Sequence, residues 1–263
     1  MIFLHHLALK DRYLNEDIRF LSNRVIIEYD MERAGLSIIQ KYHLLPKKQI
    51  KNLVELSKKT NSVNPKYGKK QADIQIGVMQ RDNAKLRDGL KEGFKESRDL
   101  FLTQNNLSEQ DVLSIKKDAI FVMKQVNEQR FDEFVNFREK NRYTSYLLLD
   151  KIEIYYKDGV LDIKGLGEVD EEIHHDYFIS FLIRFFKKAE SSSEEDVLKF
   201  LRIFIDHYKR RELEDEFYIP FKTHGMYNYN DGTESQVNYR NDKSELDISY
   251  NYKILVNLVQ YVL

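Results

Sequence analysis

A long amphipathic stretch in the middle of the chain constrains the fold more than any other feature. Leu86, Leu90 and Phe94 stand four residues apart within Asp73–Asn105, and Phe101 extends the same stripe. Residues four apart lie on one face of an α-helix, so the pattern predicts one long helix with a single apolar face. Such a helix needs an apolar layer to pack against.

Short runs of β-branched and aromatic residues on both sides of this helix supply that layer. Arg24–Tyr29 forms the first run, and Asp30 after it opens a helical pattern over Met31–Tyr42. Val112–Ile115 and Ala119–Met123 form a strand–turn–strand pattern. The same kind of run recurs three times farther along the chain, at Tyr146–Leu149, Ile152–Tyr156 and Val160–Ile163. The order predicts an α+β fold in which an antiparallel sheet is backed by the long helix.

The charge pattern and the last third of the chain predict a second region. Residues 47 to 70 carry eight Lys and one acid, whereas residues 168 to 196 carry nine acids and three cations. Glu171–Ala189 and Glu194–Arg211 have helical patterns, and Tyr250–Leu263 is a closing apolar helix or strand. We therefore predict one domain over residues 1–168, with a basic insertion at about 47–70, and a mainly helical region over 169–263.

Composition excludes several classes of protein. The chain has no Cys, which removes disulfides, iron–sulfur clusters and cysteine-based zinc sites. With 42% hydrophobic and 32% charged residues it is expected to be globular and soluble. The apolar stretch at the N-terminus is too short for a signal peptide, so we expect a cytoplasmic protein with no membrane partner. Because the net charge is −1, any nucleic-acid binding has to come from local patches.

Asp30 and Asp118 each stand at the edge of an apolar strand. If these strands are neighbours, the two carboxylates converge and can share divalent metal, as phosphoryl-transfer sites require. An Asp between a strand and a helix is also an ordinary helix cap, and Asp30 alone would favour that interpretation. Together with Asp118 it predicts a site that uses Mg²⁺ or Mn²⁺ as cofactor.

Three short motifs resemble the palm region of family B DNA polymerases and occur in that family's order. Glu28-Tyr-Asp30-Met-Glu-Arg-Ala-Gly-Leu-Ser37-Ile-Ile39 resembles the first palm motif, an Asp followed by an SLYPSII stretch. Ile115-Lys-Lys-Asp118-Ala-Ile-Phe-Val122 resembles the second motif, DTDSIFV, and Lys140-Asn-Arg-Tyr143 resembles the basic KKRY strand. The resemblance spans roughly residues 24 to 143.

The resemblance implies a palm-like domain with a fingers-like basic insertion and a thumb-like C-terminal region. It also implies a compact DNA polymerase-like nucleotidyltransferase of the kind that phages or mobile elements carry. The expected partners are a DNA or RNA primer–template and nucleoside triphosphates, with a second protein subunit as an open alternative. The site residues fall into three sets: catalytic Asp30, Asp118 and Lys117, with both Asp residues as metal ligands; nucleotide-binding Lys116, Lys58 and Lys59; and nucleic-acid-binding Lys140, Arg142 and Tyr143.

The sequence departs from the family motifs at several positions, and Lys116 together with the small size of the chain favours a second hypothesis. Lys116 stands where the family has its first Asp, and a cation beside a two-metal site competes with metal unless it points at phosphate. Gly35 stands where the family places the Tyr that packs under the incoming sugar. The fingers motif NSxYG is split between Asn61-Ser62 and Tyr67-Gly68. The alternative is a catalytically inactive palm-like protein that binds nucleic acid or serves as an accessory subunit.

Overall fold

A computed structural model describes most of the chain: residues 7–59, 66–149, 152–164, 176–214, 217, 226–228, 234–236 and 250–263. Asn61-Ser62 of the split fingers motif lies outside the described residues. The chain divides into two compact units, residues 1–15 with 26–142 and residues 16–25 with 143–263. The sequence-based division at residue 168 placed the strands between residues 145 and 164 in the first region, whereas here they belong to the second unit.

The first unit is built on a five-stranded sheet. Its strands are β1 Arg12–Leu14, β3 Ile26–Met31, β4 Val112–Lys116, β5 Ala119–Val122 and β6 Phe137–Tyr143. They lie in the order β1-β4-β5-β3-β6. β5 pairs antiparallel with both β4 and β3, and β1 pairs antiparallel with β4. Because Lys117 and Asp118 connect β4 to β5, these two strands form a hairpin whose turn lies at one end of β3.

Helices pack on one face of this sheet. They are α1 Ala34–Tyr42, α2 Lys47–Ser57, α3 Tyr67–Asp82 and α4 Ala84–Gln104. Tyr29 of β3 and Phe101 of α4 are fully buried with ring centroids 5.3 Å apart, which places the long helix against the sheet. α1 crosses α4 at Gly93, where an added Cβ would lie 2.3 Å from Ile38 Cγ2, so only Gly permits this approach. The predicted α+β fold is confirmed.

The single helix predicted over residues 73–105 is two helices, because the chain breaks at Asn83. Asn83 has extended backbone, and its side chain accepts a hydrogen bond from the Leu86 amide at 3.0 Å. Asn is among the strongest N-cap residues, since its side-chain oxygen satisfies an amide that has no partner inside the helix. The prediction of one continuous helix was wrong at this residue.

The second unit combines a four-stranded antiparallel sheet with helices. The strands are β2 Phe20–Leu21, β7 Ser145–Leu149, β8 Ile152–Lys157 and β9 Val160–Lys164, in that order across the sheet. A short separate pair is formed by β10 Met226–Asn228 and β11 Glu234–Gln236. The helices are α5 Asp176–Ser191, α6 Glu194–Lys209 and α7 Tyr250–Val262.

One apolar core joins the sheet and helices of the second unit. Its fully buried members include Leu147 and Ile154 from the sheet and Phe181, Leu201 and Leu255 from the helices. The helical C-terminal region expected from the sequence is confirmed. None of the helices in the described part of the chain has both the length and the apolar character needed to cross a bilayer.

Candidate active site

Asp30 and Asp118 lie next to each other at the end of β3. β3 and β5 pair antiparallel with Asp30 opposite Ala119, and the Met31 amide donates a hydrogen bond to the Asp118 carbonyl at 3.0 Å. Burial raises the pKa of Asp118, and the negative charge of Asp30 raises it further. The two carboxylates therefore interact electrostatically, although they come from sequence positions far apart.

Arg98 of α4 holds the turn that carries Asp118. Its side chain is 1% exposed and donates from Nη1 to the Lys117 carbonyl at 2.6 Å and from Nε to the Ala8 carbonyl at 3.0 Å. Nη2 donates to Asp11 Oδ1 at 3.2 Å. Lys117 has φ 57°, a left-handed conformation that is unfavourable for a residue with a side chain. The bonds from Arg98 help to hold this conformation and with it the position of Asp118.

Lys140 of β6 places a cation beside the carboxylates. Its Nζ lies 2.8 Å from Glu28 Oε1, and Asn141 Nδ2 donates to Glu28 Oε2 at 2.6 Å. Burial lowers the pKa of Lys140, but the hydrogen bond to Glu28 and the charges of Glu28, Asp30 and Asp118 outweigh burial and raise it overall. Lys140 is therefore a charged neighbour of both Asp residues.

Glu28 is a residue of this site that the sequence analysis did not assign. It is 2% exposed, and its carboxylate accepts from both Lys140 and Asn141. Residues two apart on a strand point to the same face, so Glu28 shares a face of β3 with Asp30. The two-residue spacing from Asp30 is the sequence signal that points to Glu28.

A cavity of about 170 Å³ opens beside Asp118. α3 contributes Lys69 and Asp73 to its lining, the turn contributes Lys117 and Asp118, and Gly35 of α1 leaves part of the wall without a side chain. The remaining lining is largely apolar, from Met31, Ala34, Ile76, Leu90 and Phe94. The cavity thus combines an apolar wall with charged groups of both signs.

The charges around the cavity act on one another. Partial desolvation raises the pKa of Asp73, and the charges of Lys69 and Lys117 oppose that rise. The Lys117 ammonium also lies 5.2 Å from the centroid of the Phe94 ring, which is a favourable cation–π distance. Lys69 belongs to the basic segment predicted from the sequence, whereas Asp73 was missed. Asp73 follows Lys69 by four residues and so shares a helix face with it, which is a signal that could have found it.

The three predicted nucleotide-binding lysines, Lys58, Lys59 and Lys116, do not line this cavity. Lys58 and Lys59 follow the C-terminal end of α2 and are exposed. The Lys116 ammonium lies 6.0 Å from the centroid of the Phe121 ring. Of the basic segment, the residue that reaches the cavity is Lys69.

The predicted nucleic-acid-binding strand is only partly in a position to contact a ligand. Arg142 donates to Glu139 at 2.9 and 2.8 Å and also bonds to Gln125. Tyr143 is 6% exposed, its ring centroid lies 4.8 Å from that of Tyr155, and its hydroxyl donates to Asp162. Tyr143 is therefore part of the interior of the second unit, and its ring is not available to stack on a base.

The Asp30–Asp118 pair fits a metal ion that it would share with a bound ligand. Carboxylates are preferred ligands of Mg²⁺, which usually keeps several waters and is completed by substrate phosphates. Among the described residues, no group of three or more His, Cys, Asp or Glu is arranged to hold a metal ion by itself. Burial and then the charge of Asp30 raise the pKa of Asp118, and a divalent cation would offset the second of these causes.

Comparisons with known proteins place the chain beside a sequence family and a solved structure. The family model described as Bacteriophage PBS1 gene 130 protein matches residues 3–263. No curated protein matches the chain. The family B DNA polymerase from the hyperthermophilic archaeon Pyrobaculum calidifontis is similar in structure, with 17% sequence identity and a TM-score of 0.43. The match covers 75% of this chain and 34% of that polymerase, so the chain spans about a third of its length.

Proposed function

The chain belongs to the Bacteriophage PBS1 gene 130 protein family, and we propose that it acts as a compact polymerase-like nucleotidyltransferase. The observation that carries this proposal is the Asp30–Asp118 pair, of which Asp118 lines a cavity together with Lys69 and Lys117. Nucleotidyl transfer needs carboxylates to hold divalent metal, cations to bind a polyphosphate, and a cavity adjacent to both. The site supplies each of these within one unit of the chain.

Each side chain has a defined role in this proposal. Asp30 and Asp118 hold Mg²⁺ or Mn²⁺, which when bound offsets the negative charge that develops on the transferred phosphoryl group. Lys69 and Lys117 bind the phosphate oxygens of a nucleoside triphosphate in the cavity. Lys140, held by its ion pair with Glu28, would contact a backbone phosphate of the primer strand.

Gly35 bears on the choice of nucleotide. An added Cβ at this position would meet Ile76 side-chain atoms at 3.6 and 3.7 Å, which is ordinary van der Waals contact. The cavity wall therefore has room that Gly leaves unused, and no side chain of residue 35 excludes a 2′-hydroxyl. We infer that the site accepts both ribonucleotides and deoxyribonucleotides.

The assay for this function is extension of labelled DNA and RNA primers with Mg²⁺ or Mn²⁺, with EDTA as the negative control. In that assay Lys69→Ala is expected to raise KM for the nucleotide about 10- to 100-fold, because it removes a hydrogen bond to a charged phosphate. Lys85→Ala is the matched control, since Lys85 is exposed on α4 and does not line the cavity. An unchanged KM in Lys69→Ala would show that the nucleotide does not bind in this cavity.

The second candidate function is that of an inactive palm-like protein that binds nucleic acid or supports another subunit. Lys140 favours it, because its positive charge interacts with the carboxylates of Asp30 and Asp118 and opposes the binding of a cation there. Lys116 at the end of β4 favours it as well, because the resembled motif has an Asp at that position. Its distinguishing result is a wild type that binds primer–template but adds no nucleotide with either metal on any DNA or RNA primer.

A further inference from the structure

The outer face of α3 carries an exposed apolar row. Tyr67, Ile74 and Val78 are 39%, 50% and 52% exposed, although all three are large apolar residues. Their spacing of seven and four residues places them on one side of the helix. Ala72 and Ile76 are buried on the opposite side, so α3 is anchored to the rest of the unit while this row faces outward.

Cations accompany the row. Lys70 is exposed and stands three residues after Tyr67, and Arg81 is exposed and stands three residues after Val78, so both share its side of the helix. Residues 66 to 81 contain four cations and one acid. Next to the row lies a depression of about 550 Å³, lined by Lys66, Lys69, Lys70, Asp73 and Ile74.

The N-terminal end of α3 packs closely on the end of α2 next to Tyr67. The Gly68 amide donates to the Lys59 carbonyl at 2.9 Å. A Cβ on Gly68 would lie 2.3 Å from the Leu56 carbonyl oxygen, so the close packing of α3 on the end of α2 requires Gly there. A side chain next to such a contact loses little backbone freedom when a ligand binds.

We propose that this face of α3 binds single-stranded nucleic acid, with a base stacked on the Tyr67 ring and backbone phosphates on Lys66, Lys70 and Arg81. Sequence-tolerant single-strand sites combine a positively charged track with aromatic side chains on which bases stack. The helix rises about 1.5 Å per residue, so the row from Tyr67 to Val78 is about 16 Å long, enough for four or five stacked nucleotides at about 3.4 Å each.

The charge of this surface favours a nucleic acid over a protein partner. The cores of protein–protein interfaces are depleted in Lys, whereas here Lys66 and Lys70 flank Tyr67 at one end of the row and Arg81 follows Val78 at the other. A polyanion with exposed apolar bases matches both components of the surface. This binding does not depend on chemistry at Asp30 and Asp118, so it can be tested without metal or nucleotide.

A single tryptophan reports directly on this surface. The chain has no Trp, so Tyr67→Trp introduces its sole indole. Titration with unstructured oligo-dT and oligo-U in EDTA is expected to quench its fluorescence, because a stacked base quenches an indole. Ile203→Trp is the control, since Ile203 is 51% exposed on α6 in the other unit and should not respond.

Affinity measurements on the otherwise unchanged chain complete the test. Tyr67→Ala is expected to weaken binding of a labelled oligonucleotide about 10-fold, the scale of a lost base–aromatic stack. Changing Lys66, Lys70 and Arg81 together to Gln is expected to reduce the slope of log affinity against log salt by about 2, at about 0.7 per single-strand phosphate contact. Comparison of the two oligonucleotides shows whether DNA or RNA is preferred.

Two results would overturn the proposal. One is an indole at position 67 that is not quenched, together with unchanged affinity in Tyr67→Ala. The other is a fluorescence change that depends on protein concentration alone, since this would identify a second protein copy as the occupant. Asp118→Asn in the Tyr67→Trp background should bind the oligonucleotides and show the same quenching as Tyr67→Trp alone. Failure of the proposed enzymatic function can therefore be distinguished from failure of this binding surface.

Discussion

Asp118→Asn is expected to reduce metal-dependent nucleotide incorporation at least about 100-fold, with less than about a twofold change in primer–template affinity. The amide keeps the shape of the side chain and removes the charge that holds the cation. Asp88→Asn is the matched control, because Asp88 is an exposed residue of α4. Primer extension and binding by fluorescence anisotropy measure the two quantities. Robust incorporation that does not respond to Asp118→Asn would refute the catalytic assignment.

The stability of the same variant separates a chemical effect from unfolding. Burial and the charge of Asp30 raise the pKa of Asp118 in the folded chain, so the folded state holds this proton more tightly than the unfolded state. Protonated Asp118 therefore contributes favourably to the free energy of unfolding at low pH. This contribution is lost as the pH rises through the folded-state pKa of Asp118. In EDTA at pH 7 the variant should melt above the wild type, and this difference should vanish toward pH about 4.

Arg98→Leu is expected to lower the free energy of unfolding by about 3 kcal/mol. The substitution leaves the carbonyls of Ala8 and Lys117 without their donor and removes the partner of Asp11. Urea unfolding measures the change. Arg87→Leu is the control, because Arg87 is exposed on the same helix and should change stability by less than about 0.5 kcal/mol.

Arg98 is also expected to act as a positioning residue for Asp118. At temperatures where Arg98→Leu is fully folded, kcat should fall while KM for the nucleotide changes little, because the turn that carries Asp118 loses its support. Arg98→Lys retains the charge with fewer donors and should give an intermediate kcat. A folded Arg98→Leu variant with unchanged kcat would show that Arg98 serves stability alone.

The strands and helices that could be predicted from the sequence are those with a clear local period. The β-branched run before Asp30 and the pattern around the Lys117–Asp118 turn both correspond to observed strands, since alternation and turn residues act within a few positions. The break at Asn83 was missed because apolar residues recur on both sides of it. Asn in the cap position interrupts the helix without interrupting the apolar pattern.

The closeness of two candidate residues could be predicted from the sequence where each borders a strand, but not where helix packing brings a residue in. Asp30 and Asp118 could be paired from sequence because each adjoins an apolar run. Arg98 is fully buried, which is rare for Arg, and nothing local distinguishes it from the exposed cations of α4. Asp73 reaches the cavity only because α3 packs beside the turn. Tyr143 is a residue that the motif resemblance assigned to nucleic-acid binding but that is buried. The motif does not show which side chains of β6 are buried.

Anomalous diffraction from crystals of the wild type grown with Mn²⁺ and a non-hydrolysable nucleoside triphosphate tests the proposed metal site most directly. The expected result is Mn²⁺ bound by the carboxylates of both Asp30 and Asp118, with the polyphosphate in contact with Lys69 and Lys117. Crystals of Asp118→Asn grown in the same way should lack that Mn²⁺. A wild-type structure in which Mn²⁺ binds elsewhere, while Lys140 remains the cation beside the two carboxylates, would contradict the proposed metal-dependent site.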